Sequence, residues 1–270
     1  MMTPVWSGSL ACAQLQILPD PQPQVVFGGS SQRIETHWHN ASGAVASAEI
    51  RTRLSQASAA TVAPVSEVDW KKLEVLPGQT VLESATQDFP AVKAETKFLV
   101  QWLGGSNRVF GATTVWVYPT NLLAELKPLM GEAALGVLDP TEQLKPLLKQ
   151  DGVEFVDLGA TALEDFRGKL AILGPFTSKD QIHEGLPRAI KQIAGKGVAV
   201  VWLQPPPGPR DALQPSFYPV PVGTNSVVVA QDALVANLAK SPQSQSNLLR
   251  LCRLALNPEP ARLPEFTDQP

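Results

Sequence analysis

The hydrophobic pattern of this 270-residue chain changes its period at Pro119, and that change constrains the fold more than any other feature of the sequence. From Leu10 to Tyr118, β-branched and aromatic residues alternate with polar ones, as expected for successive antiparallel strands. Phe98, Val100 and Trp102 share one face of such a strand, and charged or polar residues lie mostly on the other. The first part of the chain is therefore predicted to be β structure with a packed face and a solvated face.

Turn signals divide this β half at regular intervals. The segment Gly104–Asn107 has the composition of a hairpin connection, and Pro77-Gly78 and Gly28-Gly29 mark earlier turns. About seven to nine short strands fit into residues 1–119, which predicts a β-sandwich of immunoglobulin or fibronectin type. The chain lacks the Cys…Trp…Cys pattern of antibody domains, so the prediction concerns the architecture only.

After Pro119, uninterrupted apolar runs alternate with helical segments, which predicts right-handed βαβ units and a buried parallel sheet. We expect a flavodoxin-like domain over residues 120–257, with helices on both faces of the sheet, and an extended tail over residues 258–270. The proline-rich stretch 205–209 interrupts the pattern before the last strand. The predicted strands are 134–138, 153–158, 169–173, 198–203 and 226–230, and the predicted helices are 141–149, 162–166 and 179–194, with further helical stretches around Leu234 and Leu248.

Composition excludes several classes of partner. Only 17% of the residues are charged and the formal net charge is −3. The composition therefore lacks the excess of positive charge that binding to nucleic acid or to an anionic membrane surface requires. Its apolar runs, such as Gly197–Leu203, are far shorter than the roughly 20 residues that span a bilayer. We therefore expect a soluble chain that binds neither nucleic acid nor membrane.

The amino terminus has no basic region followed by an apolar run, so no signal peptide is predicted. A location outside the cytoplasm is expected only if the chain is part of a larger exported enzyme. Cys12 and Cys252 are too few for a disulfide framework or a cysteine-rich zinc site. They are interpreted as buried small hydrophobes, with a disulfide between them left open.

The densest cluster of metal-ligand residue types is Glu35, His37 and His39, which strand alternation places on one face. Two imidazoles and a carboxylate can bind zinc or another transition metal. Thr36 and Trp38 belong to the opposite, core-facing side, which favours an ordinary solvated face for the three polar residues. No metal is predicted, and a metal-dependent binding module remains an alternative.

Parallel sheets of this kind bind ligands beyond the carboxyl ends of their strands, which singles out Asp139, Gly174 and Gln204 as candidate ligand-binding positions. No catalytic set accompanies them, because the sequence has neither a GxSxG elbow nor a phosphate-binding glycine loop. Ser178 and Gln181 fit a capping box at a helix start. We expect no nucleotide cofactor and no catalytic residue, and a small hydrolase or transferase using Asp139 is kept as an alternative.

Tryptophan side chains offer a second kind of site, because aromatic faces suit the apolar side of a pyranose ring. Most of them are predicted to be core residues by alternation, and Trp70 is expected nearest the surface. The six tryptophans are Trp6, Trp38, Trp70, Trp102, Trp116 and Trp202.

The order of a β-sandwich followed by an α/β domain without a nucleophile resembles the C-terminal accessory regions of bacterial β-galactosidase-like and family 2-like glycoside hydrolases. Leu73–Thr80 is similar to immunoglobulin-like modules, and the strands 170–175 and 198–204 are similar to class I glutamine amidotransferase-like folds. That fold places a cysteine at a strand-to-helix elbow with a distant His-Glu pair, and neither is present here, so no catalytic residue carries over.

The resemblance implies a non-catalytic accessory, scaffolding or interaction module whose partner is a carbohydrate or another protein domain. Self-association is a further expectation if the edge strands of the sandwich are exposed, because an unpaired strand edge recruits another strand.

Overall fold

The computed structural model describes residues 15–20, 23–58, 60–176, 178–204, 217–222 and 225–257. The chain divides into two compact units, residues 1–120 and 121–270. No helix among the described residues has the length and apolar character needed to cross a bilayer. Trp6, Cys12, the proline-rich stretch at 205–209 and the predicted tail 258–270 lie outside the described residues.

The first unit consists of two sheets. One sheet has the strand order β1-β3-β6 and the other has the order β2-β8-β7-β4-β5. All neighbours are antiparallel except β2 and β8, which run parallel. The strands are β1 (Leu15–Leu18), β2 (Gln24–Phe27), β3 (Ser30–Asn40), β4 (Ala46–Ala57), β5 (Val62–Val75), β6 (Thr80–Phe89), β7 (Thr96–Leu103) and β8 (Val109–Tyr118).

Alternating side chains of the two sheets form the core of this unit, as the period-two pattern predicts. Ile34, Trp38 and Trp102 are completely buried, and the Trp102 indole N–H donates to Thr113 Oγ1 at 3.0 Å. The three rings of Trp38, Trp70 and Trp102 contact one another, with centroids 5.1 to 6.3 Å apart. Trp70, expected nearest the surface, is half-buried against this cluster.

The long edge strand β5 carries features that discourage pairing with another strand. Its register with β4 shifts at two places, leaving Val65 and Trp70 as extra residues, and Pro64 lies on the same strand. Bulges, a proline and charged side chains such as Lys71 all interrupt the regular ladder that a new strand would need. Self-association through this edge is therefore disfavoured.

The second unit is built on one six-stranded sheet with the order β10-β9-β11-β12-β14-β13. The strands are parallel except for β13, which pairs antiparallel with β14. The strands are β9 (Leu135–Leu138), β10 (Val156–Asp157), β11 (Leu170–Leu173), β12 (Ala199–Gln204), β13 (Phe217–Val222) and β14 (Asn225–Gln231), and the helices are α1 (Leu126–Met130), α2 (Leu144–Gln150), α3 (Leu186–Gly195) and α4 (Pro242–Leu256). The prediction of antiparallel β structure followed by a parallel α/β sheet is confirmed at this level.

Several elements of the second unit differ from the sequence prediction. The predicted strand 153–158 is only Val156–Asp157, and the predicted helix 162–166 is a single 3-10 turn over Leu163–Asp165. The predicted helix 179–194 begins only at Leu186, after a single 3-10 turn over Lys179–Gln181. Pro187 explains the late start, because proline lacks the N–H that an interior helical position must donate. The sequence prediction lacks the strand β13, which contains Pro219 and Pro221. Both are tolerated because β13 is an edge strand.

The connections that leave the adjacent strands β9 and β11 run in opposite directions, since β9 is followed by β10 on one side and β11 is followed by β12 on the other. Adjacent strands whose connections diverge in this way leave a crevice at the carboxyl end of the sheet. The pair β9 and β11 therefore defines where a ligand site of this sheet would lie.

Candidate functional site

The three strand-end positions Asp139, Gly174 and Gln204 lie at one edge of the parallel sheet. Asp139 follows β9, Gly174 follows β11 and Gln204 ends β12, and the register pairs Leu173 with Leu138 on one side and with Trp202 on the other. The Gly174 N–H donates to the Leu138 carbonyl at 2.7 Å, which joins the ends of β9 and β11. The pairing of these three strands therefore places Asp139, Gly174 and Gln204 side by side at the carboxyl end of the sheet.

The Asp139 carboxylate points into its own loop, where it caps helix α2. Oδ2 accepts from the backbone N–H groups of Leu144 and Lys145 at 2.7 and 3.0 Å, and Oδ1 accepts from the Thr141 hydroxyl at 3.1 Å. The first N–H groups of a helix have no partner within the helix, and a carboxylate there also interacts favourably with the helix dipole. Asp139 is only 2% exposed, so it stabilises the helix start at the cost of access to a ligand.

Gly174 occupies a backbone conformation that other residues rarely adopt, with φ at +108°. A Cβ atom at this position would lie 2.6 Å from the Leu203 carbonyl oxygen, and the neighbouring Phe176 is buried. Glycine is therefore required here for the close approach of the β11 end to β12. The β12 backbone and the Phe176 ring thus leave no room for a side chain at the end of β11.

A cluster of charged side chains lies beside this edge, in an open cleft of about 740 Å³. Lys145 Nζ lies 2.9 Å from both Glu142 Oε1 and Asp157 Oδ2, and only 10% of the Lys145 side chain is exposed. The hydrogen bonds to Glu142 and Asp157 raise the pKa of Lys145. The Lys145 ammonium group, helped by the Gly159 N–H, lowers the pKa of Asp157. Lys145 and Asp157 therefore stabilise each other's charged form as an ion pair.

Sequence reasoning missed Asp157 because the predicted strand 153–158 was too long. The observed strand is only Val156–Asp157, so Asp157 ends β10 in the same way that Asp139 follows β9. The strand-end rule would have identified Asp157 if the strand boundary had been right. Lys145 gave no signal, because a lysine in a polar helix start is usually solvated.

Two further residues singled out in the second unit are Ser178 and Cys252. Ser178 makes no side-chain cap hydrogen bond, so the predicted capping box with Gln181 is wrong, because the helix it would cap begins further along the chain. Cys252 is a free thiol buried in α4, and burial raises its pKa to about 12. A thiol with that pKa is not a nucleophile at neutral pH.

The residues Glu35, His37 and His39 lie on the outward side of β3 but have separate partners. His37 Nδ1 lies 3.4 Å from Asp20 Oδ1, His39 Nδ1 lies 3.0 Å from Thr80 Oγ1, and Glu35 pairs with Arg33 at 3.7 Å. Within the described ranges, no group of three or more His, Cys, Asp or Glu side chains could hold a metal ion. The structure does not bring the three residues together as a ligand set.

No protein family and no curated protein matches the chain. Among solved structures it is similar to the alkylpurine DNA glycosylase AlkC of Pseudomonas fluorescens bound to DNA containing an abasic site analog, with 11% identity and a TM-score of 0.31 over 39% of this chain and 31% of that one. It is also similar to the β-glucosidase of Listeria innocua in complex with glucose, with 16% identity and a TM-score of 0.29 over 40% and 16% of the two chains. The sporulation control protein Spo0M of Bacillus subtilis matches with 12% identity and a TM-score of 0.30 over 44% and 58%.

The chain spans about a third of the glycosylase and about a sixth of the β-glucosidase. These structural similarities are distant, and they assign no activity to this chain.

Proposed function

We propose that the chain is a non-catalytic accessory or interaction module of the kind attached to carbohydrate-active enzymes. The observation that carries the proposal is the position of Asp139, whose carboxylate binds the start of α2 rather than facing a crevice. A general acid, base or nucleophile must reach the reacting atoms of a substrate. The carboxylate best placed by topology for catalysis therefore has a structural role.

Strand order supports an immunoglobulin-like sandwich for the first unit. The first two strands, β1 and β2, lie in different sheets, and β2 runs parallel to the last strand β8. Immunoglobulin-like sandwiches likewise pack two mainly antiparallel sheets against each other. In the second unit, the parallel strands β10-β9-β11-β12-β14 follow the order second, first, third, fourth, fifth, which is the flavodoxin-like order. Both orders agree with the architecture that the accessory regions of such enzymes use.

A second candidate, a small hydrolase or transferase acting at the strand ends, is favoured by the cleft around Glu142, Lys145 and Asp157. The charges in that cleft argue against Asp157 as a general acid. A carboxyl group that acts as a general acid at neutral pH needs a raised pKa, whereas Lys145 lowers the pKa of Asp157. We therefore rank this candidate second.

A panel of chromogenic substrates separates the two candidates. Nitrophenyl glycosides, esters and phosphates are incubated with the 270-residue chain and with its Asp139→Asn and Asp157→Asn variants. For every substrate we expect rates equal to the buffer blank in all three proteins. Turnover by the unmodified chain that either folded variant loses would contradict the proposal and would favour the hydrolase or transferase.

A further inference from the structure

A notch opens in the first unit where the chain leaves β1 in one sheet and enters β2 in the other. Its volume is about 340 Å³, and its lining includes Pro19 and Asp20 after β1, Pro23 before β2, and Thr114 and Trp116 from β8. Small-molecule sites are concave, mostly apolar and supplied with a few polar groups, and their volumes begin at roughly 300 Å³. The notch has this composition and the size of a site for one sugar ring.

One wall of the notch is the indole of Trp116. Its neighbours Val115 and Val117 are completely buried, so strand alternation turns Trp116 and Thr114 away from the core. Trp116 is half-buried, in contrast to Trp38 and Trp102, which are completely buried. The Trp116 indole therefore lines the notch together with Thr114 and does not pack in the core.

β1 can approach this part of β8 because Gly111 has no side chain. A Cβ atom on Gly111 would lie 3.0 Å from Ile17 Cβ, so a larger residue would push β1 outward. Ile17 then forms an apolar wall of the notch. The close approach of β1 to β8 therefore determines the shape of the notch.

The polar wall is the carboxylate of Asp20, whose side chain is 24% exposed. Gln24 Nε2 donates to Asp20 Oδ2 at 3.2 Å, and His37 Nδ1 lies 3.4 Å from Asp20 Oδ1. Each oxygen therefore has one neighbour and keeps capacity to accept a further hydrogen bond, since an ionised carboxylate has about four acceptor sites.

Gln24 is itself held in place by the backbone of β3. Its Oε1 accepts from the Glu35 N–H at 3.1 Å and its Nε2 donates to the Glu35 carbonyl at 2.5 Å. The Gln24 side-chain amide therefore links β2 to β3 and holds the Asp20 carboxylate in position in the absence of a ligand. Groups that are already positioned lose little freedom on binding, which favours affinity.

From this geometry we infer that the notch binds a neutral pyranose sugar. The apolar C–H face of the ring packs on the Trp116 indole, and ring hydroxyl groups donate to Asp20 and exchange hydrogen bonds with Thr114. A quaternary ammonium ion also suits an aromatic face, but such ions are recognised by cages of several aromatic rings, and among the described residues Trp116 alone supplies an aromatic ring to the lining of this notch. The inference is independent of the role proposed for Asp139.

The test is a titration of the full 270-residue chain with the methyl pyranosides of glucose, galactose, mannose and xylose, followed by calorimetry and saturation-transfer NMR. We expect saturable binding of at least one of them with a Kd on the order of 1 mM, typical of so small a ligand. Trp116→Leu and Asp20→Asn are each expected to weaken binding by about tenfold, by loss of the aromatic face and of a charged acceptor. Thr114→Val provides a second polar variant if Asp20→Asn unfolds.

Matched controls are Tyr218→Ala, which removes an exposed aromatic residue elsewhere, and Asp69→Asn, which removes an exposed carboxylate on β5. Both should leave the Kd unchanged. The inference fails if no pyranoside binds at ten times the expected Kd, or if folded Trp116→Leu binds as tightly as the unmodified chain. Binding of tetramethylammonium in place of the sugars would overturn it in favour of a cation site. None of these outcomes depends on the result with the chromogenic substrates. Failure of the sugar-binding inference can therefore be told apart from failure of the proposed non-catalytic function.

Discussion

Replacing Trp102 with alanine is expected to lower the free energy of unfolding of the first unit by about 3–5 kcal/mol, the usual cost of removing a large buried aromatic side chain. The Trp102 ring is completely buried and contacts the rings of Trp38 and Trp70. Its removal leaves a cavity that the two sheets, each held by its own strand hydrogen bonds, cannot close fully. Urea denaturation followed by far-ultraviolet circular dichroism measures the change.

Phenylalanine substitutions provide the matched control. The Trp102 N–H donates to Thr113, whereas Trp38 Nε1 is buried and has no hydrogen-bond partner among the described residues. Trp102→Phe should therefore cost about 1–3 kcal/mol more than Trp38→Phe, because it leaves the Thr113 hydroxyl unsatisfied. Adding Thr113→Val to Trp102→Phe should recover part of that difference. A loss below about 1 kcal/mol for Trp102→Ala would show that this cluster is not the core of the unit.

Gly174→Ala is expected to destabilise the second unit by about 3 kcal/mol, the sum of backbone strain and a steric clash. The residue has φ at +108°, and a new Cβ atom would lie 2.6 Å from the backbone oxygen of Leu203. Relief would require β11 and β12 to separate at their carboxyl ends. The measurement is again urea denaturation of the full chain.

Gly185→Ala is the control for this substitution. Gly185 has φ at −75°, and an added Cβ would meet nothing within 4 Å. Because alanine restricts the unfolded chain more than glycine does, Gly185→Ala should be neutral or stabilising by up to about 1 kcal/mol. Equal effects of the two substitutions would contradict the requirement for glycine at residue 174.

The alternation of β3 could be predicted from the sequence, because one face of each sheet must meet the core. Ile34 and Trp38 are buried while Glu35 and His37 are exposed, as a period of two requires. Trp70 departs from the pattern because it is the extra residue of a bulge in β5. A bulge reorients the side chain locally, and no feature of the sequence marks its position.

The chemistry of the candidate sites was harder to predict than the fold. The strand-end rule singles out Asp139, but the loop that follows decides whether its carboxylate faces a crevice or a helix start. The notch depends on contacts between residues far apart in sequence, since Asp20 and Trp116 come together only when β1 and β2 separate into different sheets. Local sequence patterns do not show that β1 and β2 lie in different sheets.

The most direct test of the proposed function is the unfolding free energy of Asp139→Ala compared with that of Asp139→Asn. If Asp139 is a helix cap, alanine should lower the stability of the full chain by about 2–3 kcal/mol, because two backbone N–H groups lose their acceptor, while asparagine, itself a good cap, should cost less than half as much. Functional carboxylates behave differently, since replacing them is often neutral or stabilising. An Asp139→Ala variant as stable as the unmodified chain, or more stable, would contradict the structural role and would make this edge of the sheet a functional site.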